Sequence, residues 1–117
     1  MKAEALIGKG DFAGAAAIIN QTRNREGLSD LPASATSSKD AILNAYLKER
    51  RLELALEGQR WFDLVRLDKV EEVLNTAKQR DPDRMNLVYQ FEPYSYLLPI
   101  PANIMDQNPN LIQNPGY

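Results

Sequence analysis

The chain has 117 residues, a net charge of -2, and 44% hydrophobic and 26% charged residues, ordinary values for one domain of a globular protein. That slight acidity gives no electrostatic reason to bind nucleic acid or an anionic membrane. It contains no Cys and no His, which excludes disulfides, a Cys/His zinc site, a cysteine nucleophile and imidazole acid–base chemistry.

Residues 2–8 read as the end of a helix stopped by Gly8-Lys9-Gly10. Asp11 is the expected N-cap of a second helix over 12–26, where Phe12, Ala15, Ala16 and Ile19 share one face. Gly14 and the alanines from Ala13 to Ala17 permit a neighbouring helix to approach closely. Arg23 and Arg25 suit the last turn, where the helix dipole favours cations, and Gly27 suits a left-handed cap. Residues 1–27 therefore read as a tetratricopeptide-like hairpin whose first arm is already half over at Met1, as in a piece of a longer chain.

Residues 28–38 form a loop rich in Pro, Ser and Ala that ends in a capping box from Ser37 to Asp40. The next helix, 39–57, carries Ile42, Leu43, Ala45, Tyr46, Leu47, Leu52, Leu54 and Leu56 around most of its circumference, a pattern expected of a buried helix. Gly58 marks a break, and a further helix runs from Gln59 to Arg80, bent near Asp68-Lys69 and stopped by Asp81-Pro82-Asp83. Together 39–80 make a helical block and 81–117 an irregular, mostly extended tail. Leu87-Val88-Tyr89-Gln90-Phe91 reads as a short strand. Five of the seven prolines follow residue 92, which argues against helix there. Apolar Leu97, Leu98, Ile100, Leu111 and Tyr117 need a surface to pack on. The fold class is thus mainly α: helical hairpins followed by an irregular, Pro-rich C-terminal segment.

The charged residues of the helical block invite two readings. Glu53 and Glu57 stand four apart, the spacing of a carboxylate pair. The stronger reading is an ion-pair stripe, because Arg50–Glu53, Glu57–Arg60, Arg60–Asp63 and Asp63–Arg66 are all three apart. Arginines so placed hold both carboxylates ionised, which argues against catalysis. Trp61 and Phe62 fall between Leu54/Leu56 and Leu64/Val65 at helical spacing, so core packing is expected for both. Tyr89, Tyr94 and Tyr96 lie in irregular structure and are the more accessible aromatics, either ligand contacts or anchors for the tail. Asn20-Gln21-Thr22 matches a glycosylation acceptor but lies mid-helix. Asp81 and Asp83 fall short of a calcium site, so no metal or cofactor is expected.

Four blocks in order carry a resemblance: Asn20-Gln21-Thr22-Arg23-Asn24-Arg25-Glu26-Gly27-Leu28; Glu49-Arg50-Arg51-Leu52-Glu53-Leu54; Glu57-Gly58-Gln59-Arg60-Trp61-Phe62-Asp63-Leu64-Val65-Arg66; and Leu97-Leu98-Pro99-Ile100-Pro101 with Asn108-Pro109-Asn110-Leu111 and Gln113-Asn114-Pro115-Gly116-Tyr117. The chain resembles the C-terminal portion of the SusD/RagB family of outer-membrane nutrient-binding lipoproteins. Glu26 stands where that family usually has Ala. The resemblance implies a SusD-like α/α superhelix, with Arg50, Glu53, Glu57, Arg60, Trp61, Asp63 and Arg66 as structural signature positions and no enzymatic activity. It implies a cell-surface protein that captures an oligosaccharide or similar nutrient and passes it to a TonB-dependent transporter of the SusC type. Trp61 could then stack on a sugar, although the family's glycan-contacting aromatics generally lie outside this signature. Neither a signal peptide nor a lipidation site opens the sequence, and no run approaches the roughly 18 apolar residues of a membrane span. The alternative is a free-standing tetratricopeptide-like module that binds a protein partner, which explains the helices but not the tail.

Overall fold

A computed structural model describes residues 1–75 and 91–117. The described residues are mainly α-helical and contain no strand, in keeping with the expected fold class. They divide into two compact units, Met1–Arg60 and Trp61–Tyr117.

In the first unit, α1 (Lys2–Gly8) and α2 (Phe12–Arg25) form a helical hairpin, and α3 (Lys39–Glu53) packs against both. Asp11 caps α2 as its sequence position predicts, its Oδ1 accepting from Gly14 N–H at 2.8 Å. Gly14 thereby acquires a different role from the one its small size suggests. A Cβ there would lie 2.3 Å from Asp11 Oδ2, so the space belongs to the capping carboxylate and not to a neighbouring helix. At the other end, Gly27 adopts φ 74. Leu28 N–H donates to Arg23 O and Gly27 N–H to Asn24 O, a Schellman closure that needs a left-handed residue at this position.

The core of this unit follows the helical periodicity. Ala3 and Ile7 of α1, Ala15, Ala16 and Ile19 of α2, and Ile42, Leu43, Tyr46 and Leu47 of α3 are buried. Ile42 is wholly inaccessible, a burial that contributes on the order of 2 kcal/mol. The start of α3 differs by one residue from the expected capping box. Ser38, not Ser37, is the N-cap, its Oγ accepting from Ala41 N–H at 3.1 Å, while Ser37 Oγ donates to Ser34 O at 2.7 Å within a 3-10 turn over Ala33–Thr36. The end differs more. The helix stops at Glu53, not at residue 57, and Leu56 turns to φ 68 before Gly58 at φ 72. The leucines at 52 and 56, read from their spacing as part of a buried helix, are exposed.

The second unit holds α4 (Arg60–Arg66), apart from its first residue, and α5 (Val70–Asn75), which replace the single bent helix expected from Gln59. The break falls at the expected place. Asp68 takes φ 53, and Lys69 N–H reaches back to Leu64 O, which closes α4 with aspartate in the left-handed position. Leu64, Val70 and Phe91 are buried, and Phe91 N–H donates to Asn75 Oδ1 at 2.9 Å. The end of the helix at Arg80, the Asp81-Pro82-Asp83 stop and residues 87–90 of the expected strand lie outside the described residues; Phe91 itself is irregular.

The tail is less extended than its prolines suggest. Pro93–Tyr96 form a 3-10 turn and Ala102–Gln107 a short helix, α6. Both begin at proline: Pro93 occupies the first helical turn and Pro101 the N-cap of α6, where a missing N–H removes no helical bond. Between them the backbone is extended, with Leu97 at φ -106 and ψ 139.

Candidate functional site

Two groups of side chains stand out, one in each unit. In the first unit the C-terminal turns of α2 and α3 are tied together by charge. Arg23 Nη1 donates to Glu49 Oε1, and Arg23 Nε donates to Ser29 O at 2.8 Å. Glu49 is 8% exposed, so this pair is largely removed from water. Arg25 Nη2 donates to Glu53 Oε1 at 2.6 Å and its Nε to Glu26 Oε1 at 2.9 Å, both at the surface. The hydrogen bond to Glu26, followed by that to Glu53, raises the Arg25 pKa, so the guanidinium stays charged throughout the accessible pH range. These residues line a polar cleft of about 450 Å³ with Thr22, Leu28 and Leu52.

The signature positions occupy more than one helix. Glu53 ends α3 while Glu57 lies in the turn after it, so the two carboxylates do not share a helix face. Glu53 reaches across to Arg25 of α2. The Arg50 guanidinium lies 5.7 Å from the Tyr46 ring centroid, and Tyr46 O–H donates to Glu4 Oε2 at 3.0 Å. Arg60 Nη1 donates to Leu47 O at 2.9 Å, fastening the chain beyond α3 back onto the helix backbone. In α4 the spacing argument holds directly, because Arg66 Nε and Nη2 both donate to Oδ1 of buried Asp63, at 3.1 and 2.8 Å. The inter-helix pair of Arg23 and Glu49 was not expected. Its signal was available: Glu49 falls on the Ile42, Tyr46 apolar stripe, where a carboxylate needs a cation from another element.

The second unit holds the aromatic group. Phe91 and Tyr96 meet edge to face at 5.0 Å, and Trp61 lies 6.1 Å from Phe91 and 6.3 Å from Tyr96. Tyr94 packs instead on Tyr117 at 5.2 Å. Trp61 and Phe62 are not core residues: Trp61 keeps 39% of its surface and Phe62 keeps 65%. The reason is the length of α4. Seven residues make two turns, and the inward positions of those turns are taken by Asp63 and Leu64. Tyr94 and Tyr96 are also partly exposed, whereas Tyr89 lies outside the described residues. Among the described residues no group of three or more Asp or Glu is arranged to hold a metal ion, and no helix is long and apolar enough to cross a membrane.

Comparison with known proteins gives a consistent picture. The SusD family model matches residues 1–117. A SusD-like protein of Formosa agariphila is 35% identical over 124 residues, an alignment that takes in 100% of this chain and 22% of the relative. A second SusD-like protein of the same organism is 36% identical over 81 residues, covering 68% of this chain and 15% of the relative. The chain thus spans about a fifth or less of the length of these curated relatives. No solved structure matches it.

Proposed function

Because the chain belongs to the SusD family, we propose that it forms part of a nutrient-binding lipoprotein of the outer-membrane surface. The whole protein captures an oligosaccharide or similar nutrient and delivers it to a TonB-dependent transporter of the SusC type. Its work is binding and release, with no bond made or broken. The observation that carries this reading is the family match across the entire chain, tail included. A free-standing helical adaptor would account for the hairpin of α1 and α2 but leaves the tail unexplained.

Within that protein these residues are chiefly scaffold. Arg50, Glu53, Glu57, Arg60, Asp63 and Arg66 serve structure, a role supported by the bonds of Glu53 to α2, of Arg60 to the Leu47 carbonyl and of Arg66 to Asp63. Trp61 and Tyr96, partly exposed beside buried Phe91, offer ring surface of the kind that packs on the C–H faces of a sugar. Tyr94 is a weaker candidate, since Tyr117 already covers part of it. Tyr89 is assigned with them from sequence alone.

The test is titration calorimetry of the full-length protein against a panel of oligosaccharides, together with affinity purification from detergent-solubilised outer membranes. Saturable glycan binding and co-purification of a TonB-dependent transporter are expected. A full-length protein that binds neither would overturn the proposal. Trp61→Ala with weakened glycan binding and unchanged transporter recovery would place the ring in the ligand site. Unchanged binding would return Trp61 to the scaffold.

A further inference from the structure

Between Pro99 and Pro101 the backbone offers a single amide hydrogen, that of Ile100, because proline carries none. Gln113 takes it. Ile100 N–H donates to Gln113 Oε1 at 2.8 Å, and Gln113 Nε2 donates back to Ile100 O at 2.9 Å. A carboxamide that exchanges both bonds with one residue reproduces the hydrogen-bonded pair of an antiparallel ladder. The neighbouring carbonyls are met in the same way. Asn114 Nδ2 donates to Leu98 O at 2.6 Å, and Tyr117 O–H donates to Leu97 O at 3.0 Å.

Gly116 completes the arrangement. It sits at φ 95, and a Cβ on it would lie 2.4 Å from the Tyr94 ring, so both backbone conformation and space require glycine. The Tyr117 ring then meets Tyr94 nearly perpendicular, at 85°.

We propose that residues 113–117 are a strap that stands in for a neighbouring strand. Gln113, Asn114 and Tyr117 hold Leu97–Ile100 extended through side chains, and the packing of Gly116 and Tyr117 on Tyr94 is the buckle. Side chains take this role because a segment with prolines at 99 and 101 lacks two of the donors a regular ladder needs. The strap also explains how Leu98, 82% exposed, remains outside instead of collapsing inward, because its carbonyl is held by Asn114. This device is independent of the nutrient-binding reading, since it concerns contacts within the tail alone.

Hydrogen exchange of the Ile100 amide, followed by NMR on the intact chain and normalised for intrinsic rate at each pH, tests the strap. In the wild type, Ile100 should exchange about tenfold or more slowly than an unprotected amide. Gln113→Glu keeps the acceptor for Ile100 N–H but removes the donor and sets a carboxylate against Ile100 O. Protection should be lost near neutral pH and return as the new carboxyl is protonated and regains a donor. Gly116→Ala should expose the same amide at every pH. The α3 amides should be unchanged in both variants. An unprotected Ile100 in the wild type would overturn the proposal, as would protection indifferent to both substitutions or equal loosening of α3.

Discussion

At the residue scale the decisive contrast is between two arginines two positions apart. Arg23 meets Glu49 in a setting largely closed to water, and Arg25 meets Glu53 and Glu26 at the surface. A buried pair broken on one side leaves an uncompensated charge, so Glu49→Ala should lower stability by about 3 kcal/mol in urea unfolding. The double change Arg23→Met with Glu49→Leu removes both charges and should recover most of that loss, short of the Arg23 bond to Ser29 O. If the double variant is no more stable than Glu49→Ala, the interior position of the pair is not what makes it matter. Arg25→Gln should leave the melting temperature nearly unchanged, because exposed pairs contribute little and are screened by salt. Sequence spacing brings out pairs within one helix, such as Asp63 with Arg66, since helical geometry alone sets their distance. Pairs between helices depend on how the helices pack. For Glu49 the only local sign was a carboxylate in an apolar stripe.

At the scale of elements, what was legible is what local chemistry determines. Asp11 and Gly27 bound α2 because a carboxylate beside free N–H groups and a left-handed residue after the last turn act within a few residues. The cap of α3 was misplaced by one, since Ser37 and Ser38 are chemically alike and only the chain's path distinguishes them. Ser38→Ala should therefore cost about 1 kcal/mol, and Ser37→Ala measurably less, in thermal or urea unfolding. Equal losses would argue that both hydroxyls cap. The helix ends sooner than its sequence pattern suggests because Leu54 and Leu56 continue the apolar pattern after the backbone has turned beyond Glu53. Leu56 pays a steric penalty at φ 68 and its side chain is fully exposed. Leu56→Gly should thus stabilise the chain, by up to about 1 kcal/mol, a rare gain from removing a leucine. Lower stability in this variant would mean that the leucine makes contacts worth more than its strain. Helix α6 escaped notice because proline density reads as extended chain, although a proline at a helix start is harmless.

At the scale of the whole molecule the balance of apolar surface is the governing question. Leucines and aromatics scattered singly over a surface are ordinary. Within Trp61–Tyr117, however, Phe62, Leu97, Leu98 and Ile112 each keep more than half their surface exposed, and Leu97 and Leu98 sit on the segment held by the strap. Apolar groups that cannot fold inward can lose water only by meeting another surface. The 117-residue chain alone should therefore self-associate, seen in sedimentation equilibrium as an average mass above 13.2 kDa that rises with concentration. Leu98→Ser with Ile112→Ser should reduce that association while leaving the Ile100 amide protected, because the strap bonds to the backbone at 97–100 and not to these side chains. A wild-type chain that stays monomeric with a concentration-independent melt would refute the argument. So would association untouched by the double substitution, which would move the sticky surface to Phe62 and its neighbours on α4.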